Sequence, residues 1–316
     1  MKHSFLQRYG VVALAALSSL CLAVAVVVGL MPQPTSAVAA VSTPAAGWTY
    51  TQAGSPSRTL VRDESGALIA TLTRGSLSVV LEGSPRTFTE GSITVRTAAW
   101  VRLLPAAFTG TVDTTWLAAA RADVSPDVLA IATQYVAGAP SVSADNGSLI
   151  SADASYGPIV NGLRQEGSDW NDFLGVTAVY DGIADRPETL HVGALDCSGF
   201  VRMVFGHRLG YPMILTPDGV RLPRRATSMY TDGPGVLLRD SAQVLPGDLV
   251  LFDAASDDGA AIDHVGIYLG KDVAGHPRFI SRRKTADGPT FGDVGGRSTL
   301  DGTGLYASSM RAIRRL

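Results

Sequence analysis

The sequence predicts two architectures in series, a small all-β stretch followed by a longer region that mixes helices with antiparallel strands. Three observations predict this. Between Arg58 and Leu104, short runs rich in Thr, Val, Leu and Ser are separated by turn signals. From Phe200 to Leu209, apolar residues recur at helical spacing behind Asp196, a good N-cap type. From Leu245 onward, short apolar runs lie between loops that carry Gly and Pro.

The chain has 316 residues, enough for one large domain or two modest ones. Its 26 basic and 28 acidic residues leave a net charge of −2. No basic excess marks a nucleic-acid footprint, and no polybasic tract marks a site for anionic lipid. Arg311, Arg314 and Arg315 cluster near the end and are expected to decorate a closing strand.

In chain order, Lys2, His3 and Arg8 precede an uncharged, largely apolar run from Val11 to Met31, and Ala37-Val38-Ala39 follows. Basic start, apolar middle and A-x-A site have the layout of a secretory signal over residues 1–39. The run is also long enough to cross a bilayer as a retained anchor, the one route to a membrane partner. Either way the expected location is outside the cell or in its envelope. Residues 40–57 read as a linker and residues 58–112 as a small β-rich module. Its expected strands are Thr59–Arg62, Leu68–Thr73, Leu77–Leu81, Arg86–Thr89, Ile93–Arg96 and Trp100–Leu104, with turns at Glu82–Pro85 and Glu90-Gly91.

Asp113 or Thr114 caps a predicted short helix through Arg121. A second starts at Ser125-Pro126-Asp127, with Ser125 as cap, and runs as a stripe of Val128, Leu129, Ala132, Tyr135 and Val136 to Gly138. Residues 113–316 are expected to be one domain, whose stretch at about 141–190 begins polar and turn-prone and counts as an insertion by the family resemblance that the later blocks carry.

Within it, Cys197 stands directly after Asp196, where the helix begins. Unpaired backbone N–H groups and the positive end of the helix dipole there favour a thiolate. The other cysteine, Cys21, lies in the apolar run, so Cys197 has no partner if that run is removed or sits in a membrane. A buried, inert thiol is the plainer reading. Downstream, Leu249–Phe252 is a short apolar strand after the Pro246-Gly247-Asp248 turn. His264 opens the next, with Val265, Ile267 and Leu269 on one face and His264, Gly266 and Tyr268 on the other. Gly266 beside His264 leaves room for another element to approach.

Asp196-Cys197-Ser198-Gly199-Phe200, then Pro246-Gly247-Asp248-Leu249-Val250, then Asp263-His264-Val265-Gly266-Ile267-Tyr268-Leu269-Gly270 resembles the NlpC/P60 family of cysteine peptidases. Leu222-Pro223-Arg224-Arg225 looks like a further family segment. The resemblance implies an α+β, papain-like catalytic domain in which a helix carrying the cysteine packs on an antiparallel sheet carrying the histidine. It implies Cys197 as nucleophile and His264 as general base. At the third position, where the family usually has His, this chain has Ser281, on the predicted strand Arg278–Arg283. One permitted hairpin register sets Ser281 opposite His264, and a one-residue slip presents Arg282. The family's tyrosine motif has no match in spacing, and Tyr156 and Tyr180 are both candidates for it.

The implied function is a secreted cysteine endopeptidase acting on peptidoglycan stem peptides, at the bond between D-glutamate and a diamino acid. Amidase or acyltransferase chemistry by the same thiol, or an inactive wall-binding scaffold, are the alternatives. Arg224, Arg225, Arg282 and Arg283 flank these blocks and are expected to receive substrate carboxylates. No cofactor is expected. No His/Cys/Asp/Glu spacing suits a metal, and His191, His207 and His276 sit in no catalytic pattern.

Overall fold

A computed structural model describes residues 47–256, 259–292 and 298–316. The secretory signal, its cleavage site and Cys21 lie outside the described residues. Strands β1 (Thr49–Ala53), β2 (Arg58–Arg62), β3 (Leu68–Thr73), β4 (Ser78–Glu90) and β5 (Ile93–Leu103) form an antiparallel meander. β1 falls within the expected linker, where its pairing with β2 orders a stretch of few apolar residues. The four expected strands from Leu77 to Leu104 are two long ones. The turn signal Glu82–Pro85 is instead an irregularity inside β4, where the pairing moves from Glu82 with Ala99 to Arg86 with Thr97. Gly83 is required there, because a Cβ would lie 2.6 Å from the Trp100 indole. The turn at Glu90-Gly91 is present, and β4 and β5 leave the meander as a long arm.

Asp113 caps α1 (Thr114–Ala122) by accepting from the N–H groups of Thr115 and Trp116. α2 (Val128–Ala132) begins later than expected. Its cap is Asp127, which accepts from Ala130 N, not Ser125. Asp127 is chosen because its carboxylate also receives Arg86 (2.7 and 2.6 Å) and Val101 N (2.6 Å), tying α2 to the arm.

The stretch from 141 to 190 is ordered as three small hairpins around one short helix. These are β6 (Val142–Ser143) with β7 (Leu149–Ser151), β8 (Ile159–Val160) with β9 (Leu163–Arg164), and β10 (Ala178–Tyr180) with β11 (Ile183–Asp185). α3 (Trp170–Leu174) has a full capping box between Asp169 and Asp172. α4 (Cys197–Val201) follows and continues with π geometry through His207, and α5 (Ala226–Thr231) comes next. The main sheet contains β12 (Val236–Leu238), β13 (Leu249–Phe252), β14 (His264–Lys271), β15 (Pro277–Arg283), β16 (Gly288–Thr290) and β17 (Met310–Arg315), with α6 (Leu305–Ser309) before the last. Among the described residues its order is β12-β17-β13-β14-β15-β16, antiparallel throughout.

Phe200, Val201, Val204 and Phe205 from the α4 segment pack with Leu249, Val265, Ile267 and Leu269 of the sheet and with Val95 and Val101 of the arm. The arm therefore shares the main core and also braces the β14–β15 turn, where Val273 N donates to Thr94 O. Arg314 and Arg315 do not decorate the closing strand. Both are buried, and Arg315 grips the buried Asp248 with two bonds (2.8 and 2.7 Å) while donating to Thr73 of β3. A paired guanidinium can be buried where a solvated one would stay outside.

Candidate active site

The site forms where the start of α4 meets the start of β14. Asp196 accepts from Gly199 N (2.7 Å) and fixes the first turn of α4. Gly199 is required, since a Cβ would lie 2.2 Å from Ser168 O. Burial disfavours the Asp196 charge, but Arg224 more than offsets it, and the carboxyl sits below its usual range. Arg224 reaches Asp196 at 2.7 Å, Ser198 Oγ at 2.9 Å and Asp169 at 3.5 Å. Beneath them the fully buried Arg202 donates to Asp169 (2.9 Å), the Tyr180 hydroxyl (2.6 Å) and the carbonyls of Ile214 and Leu222.

The Cys197 thiol is 7 % exposed and points at the Asp263 carbonyl, 3.8 Å away. Burial pushes it up to about 12, and the Asp196 carboxylate adds to the effect. The expected helix-start thiolate is therefore not the resting form. Desolvation outweighs the helix-start position, and a carboxylate stands in the helix's own cap. Burial also pulls His264 down to about 3, helped by the Arg283 cation. At rest the pair is a neutral thiol and a neutral imidazole.

His264 Nε2 lies 3.0 Å from Ser281 Oγ. The contact expected from the hairpin is present, but the register differs. Ile267 pairs with Ile280 and Tyr268 with Phe279, so counting back sets Ser281 beside Gly266, and His264 reaches it diagonally. Gly266 makes this approach feasible, as a Cβ there would lie 2.6 Å from the Phe279 ring and 3.0 Å from Ser281 Cβ. Arg283 Nε donates to the same Ser281 oxygen at 3.3 Å. Phe252 and Tyr306 enclose the imidazole, with ring centroids at 5.9 and 5.2 Å.

Cys197 and His264 open into a cleft of about 540 Å³ shared with Tyr156, Glu166, Arg225 and Lys284. The four arginines expected to meet substrate all border it, but three are engaged by the protein. Arg224 is committed to Asp196 and Ser198. Arg282 is fully buried and donates to the carbonyls of Leu195 and Ala154. Arg283 is buried over the rings of Tyr306 and Phe279. Arg225 alone of the four is exposed. Lys284 pairs with Glu166 across the rim at 2.6 Å.

Of the two candidate tyrosines, Tyr156 reaches the cleft and Tyr180 lies under α4 against Arg202. Spacing could not choose between them, because Tyr156 arrives through the insertion. Tyr306 carries no sequence signal, since its role depends on α6 folding back over β14. His191 bonds Ser168 (2.7 Å), His207 stacks on Trp170, and His276 pairs with Asp301 (3.0 Å). Among the described residues no cluster of three or more His, Cys, Asp or Glu is arranged for a metal ion.

Residues 179–287 match the family model described as the NlpC/P60 family. This segment, about a third of the chain, is similar to that family. It contains Cys197, His264 and Ser281 but not the β1–β5 module, Tyr156 or β17. Members of NlpC/P60 are generally cell-wall peptidases or amidases, act on peptidoglycan and are often secreted or envelope-associated. Among solved structures, the chain is similar to NlpC1 from Trichomonas vaginalis (13 % identity, TM-score 0.33), covering 80 % of this chain and 63 % of that one. It thus spans less than two thirds of NlpC1. NlpC2 from the same organism gives 13 % identity and TM-score 0.32, covering 82 % of this chain and 81 % of that one. An NlpC/P60 family protein from Bacillus cereus gives 12 % identity and TM-score 0.29, with 85 % and 78 % covered. No curated protein matches the chain. Among the described residues no helix is long and apolar enough to cross a membrane.

Proposed function

We propose that this protein is an exported cysteine endopeptidase that hydrolyses amide bonds in peptidoglycan stem peptides, with a papain-like Cys-on-helix, His-on-sheet arrangement. The observation that carries this is one cleft lined by both the Cys197 thiol, at the start of α4, and the His264 imidazole, whose Nε2 lies 3.0 Å from Ser281 Oγ. With Nε2–H donating to Ser281 Oγ, Nδ1 is the basic nitrogen. Because both partners rest neutral, proton transfer accompanies carbon–sulfur bond formation instead of preceding it. Cys197 Sγ attacks the scissile carbonyl as its proton passes to His264. The imidazolium then protonates the departing amine, leaving a thioester. Water, deprotonated by His264, releases the acid and restores the thiol.

The Cys197 N–H and the Tyr156 hydroxyl are the donors proposed for the oxyanion. Burial, together with the nearby Cys197, Glu166 and Asp196, keeps the Tyr156 phenol firmly protonated and so a donor. Arg225, at the exposed rim, receives a stem carboxylate. Arg224, Arg282 and Arg283 hold the site together. Residues 58–112 and 113–316 remain the proposed domains, with the insertion supplying Tyr156 and Glu166 to the cleft.

Zymography on purified cell wall, with mass analysis of the released material, tests this reading. Wild-type protein should clear the gel and release stem fragments cut after D-glutamate, and Cys197→Ala should do neither. Release of intact stems would mean amidase chemistry, and a wild-type protein that binds wall without releasing anything would mean a scaffold.

A further inference from the structure

The tip of the β4–β5 arm ends on the segment that pairs with Ser281. Glu90, the last residue of β4, accepts the Thr290 hydroxyl on Oε1 (2.5 Å) and the N–H groups of Phe291 (2.7 Å) and Gly292 (3.0 Å) on Oε2. Thr290 is the strand partner of Ser281. The Gly292 carbonyl accepts the Ser298 hydroxyl, and Ser298 Oγ accepts from Arg283, whose Nε donates to Ser281 Oγ. Bond by bond, Glu90, Gly292, Ser298, Arg283, Ser281 and His264 form one continuous chain. Thr290, Phe291, Ser298, Arg283 and Ser281 in this path are all buried.

We infer that Glu90 is a positioning residue for the His264 base, so that the N-terminal β arm completes the active site of the NlpC/P60 segment. A carboxylate suits this task. It is an acceptor only, and it gathers three donors in a mostly buried corner, of which the Gly292 N–H also has Thr290 Oγ1 at 3.0 Å. Without it, β16 loses its anchor, Ser298 and Arg283 lose their fixed geometry, and Ser281 no longer holds the imidazole in one orientation. The groups that face His264 are Cys197 and Asp196 from the α4 turn, Arg283 at the end of β15 with Lys284 just after it, and Tyr306 from α6. Of these, Arg283 is the one the chain from Glu90 controls.

The inference rests on His264 being the base, and its test is chosen to separate the two. Full-length protein is treated with iodoacetamide over a pH series, and alkylation is followed on the Cys197 peptide by mass spectrometry, which needs no turnover. Glu90→Ala should slow Cys197 alkylation near neutral pH by roughly tenfold, the effect of about one lost hydrogen bond. Glu90→Gln, which keeps one acceptor oxygen, should recover part of the rate. Thr89→Ala, exposed on the same arm, should leave the profile unchanged. On wall fragments Glu90→Ala should lower kcat by a similar factor with little change in KM. If Glu90→Ala does not fold, Ser298→Ala breaks the chain nearer Ser281 and should give the same slowing. Folded Glu90→Ala or Ser298→Ala protein that alkylates at the wild-type rate throughout overturns the inference, whether or not wall is cleaved. Inert wild-type protein with slowed alkylation in the variants would leave Glu90's role standing and remove only the peptidase reading.

Discussion

Acidification should destabilise this protein through His264, and the His264→Gln variant should be spared that loss. The imidazole is 8 % exposed, and burial with the Arg283 cation pulls it from 6.5 to about 3. A base with a depressed folded pKa binds its proton later in the folded than in the unfolded state. Its contribution to stability is therefore complete above pH 6.5 and is lost as pH falls toward 3. Between pH 8 and pH 4 about 2.5 pH units of that window are crossed, equivalent to roughly 3 kcal/mol. Gln at this position keeps a donor for Ser281 and carries no titrating group. Urea denaturation of both proteins at pH 8 and pH 4 gives four free energies. Wild type should lose about 3 kcal/mol more than His264→Gln over the interval. Every other carboxylate and histidine is common to both proteins and cancels in the difference. Parallel losses would refute the claim that the resting imidazole is buried and neutral.

Other outcomes follow from the same geometry. Ser281→Ala removes the bond that orients His264, together with an acceptor for Arg283 Nε, and should lower kcat on the order of ten- to a hundredfold, read in turnover of a stem peptide. Arg202→Met leaves Asp169 buried without its main partner and should cost about 3–5 kcal/mol in denaturant melts. Gly266→Ala places a methyl 2.9 Å from the Ile280 carbonyl and against the Phe279 ring. It should cost about 1–3 kcal/mol and reduce activity further than stability, because Ser281 is the neighbour displaced.

Much of the site was legible because its signals are local. Asp196 before an apolar helical stripe gave the cap and the place of Cys197, a short apolar run after a turn gave β13, and strand alternation gave the faces of β14 and β15. Gly266 was readable as room for another element, and the element that fills it is the strand carrying Ser281. What was hidden depends on partners distant in the chain. Arg315 looked like surface charge because its partner Asp248 lies 67 residues away, and Arg224 looked free because Asp196 lies 28 residues away. A cap was assigned to Ser125 because nothing local shows that Asp127 also serves Arg86 and Val101. The thiolate expectation followed helix position alone, whereas the burial that outweighs it comes only with the packed fold. Glu90 read as half of a turn, and only the packed arm shows what its carboxylate meets.

The most direct test of Cys197 as the nucleophile is capture of its covalent intermediate. Wild-type protein would be mixed with a stem peptide, quenched in acid within the first turnover, and digested for mass spectrometry. The account predicts a thioester on the Cys197 peptide, with the mass of the acyl fragment that ends in D-glutamate. It also predicts that the adduct disappears on longer incubation. Peptide cleavage with an unmodified Cys197, or cleavage that survives Cys197→Ala, would contradict it.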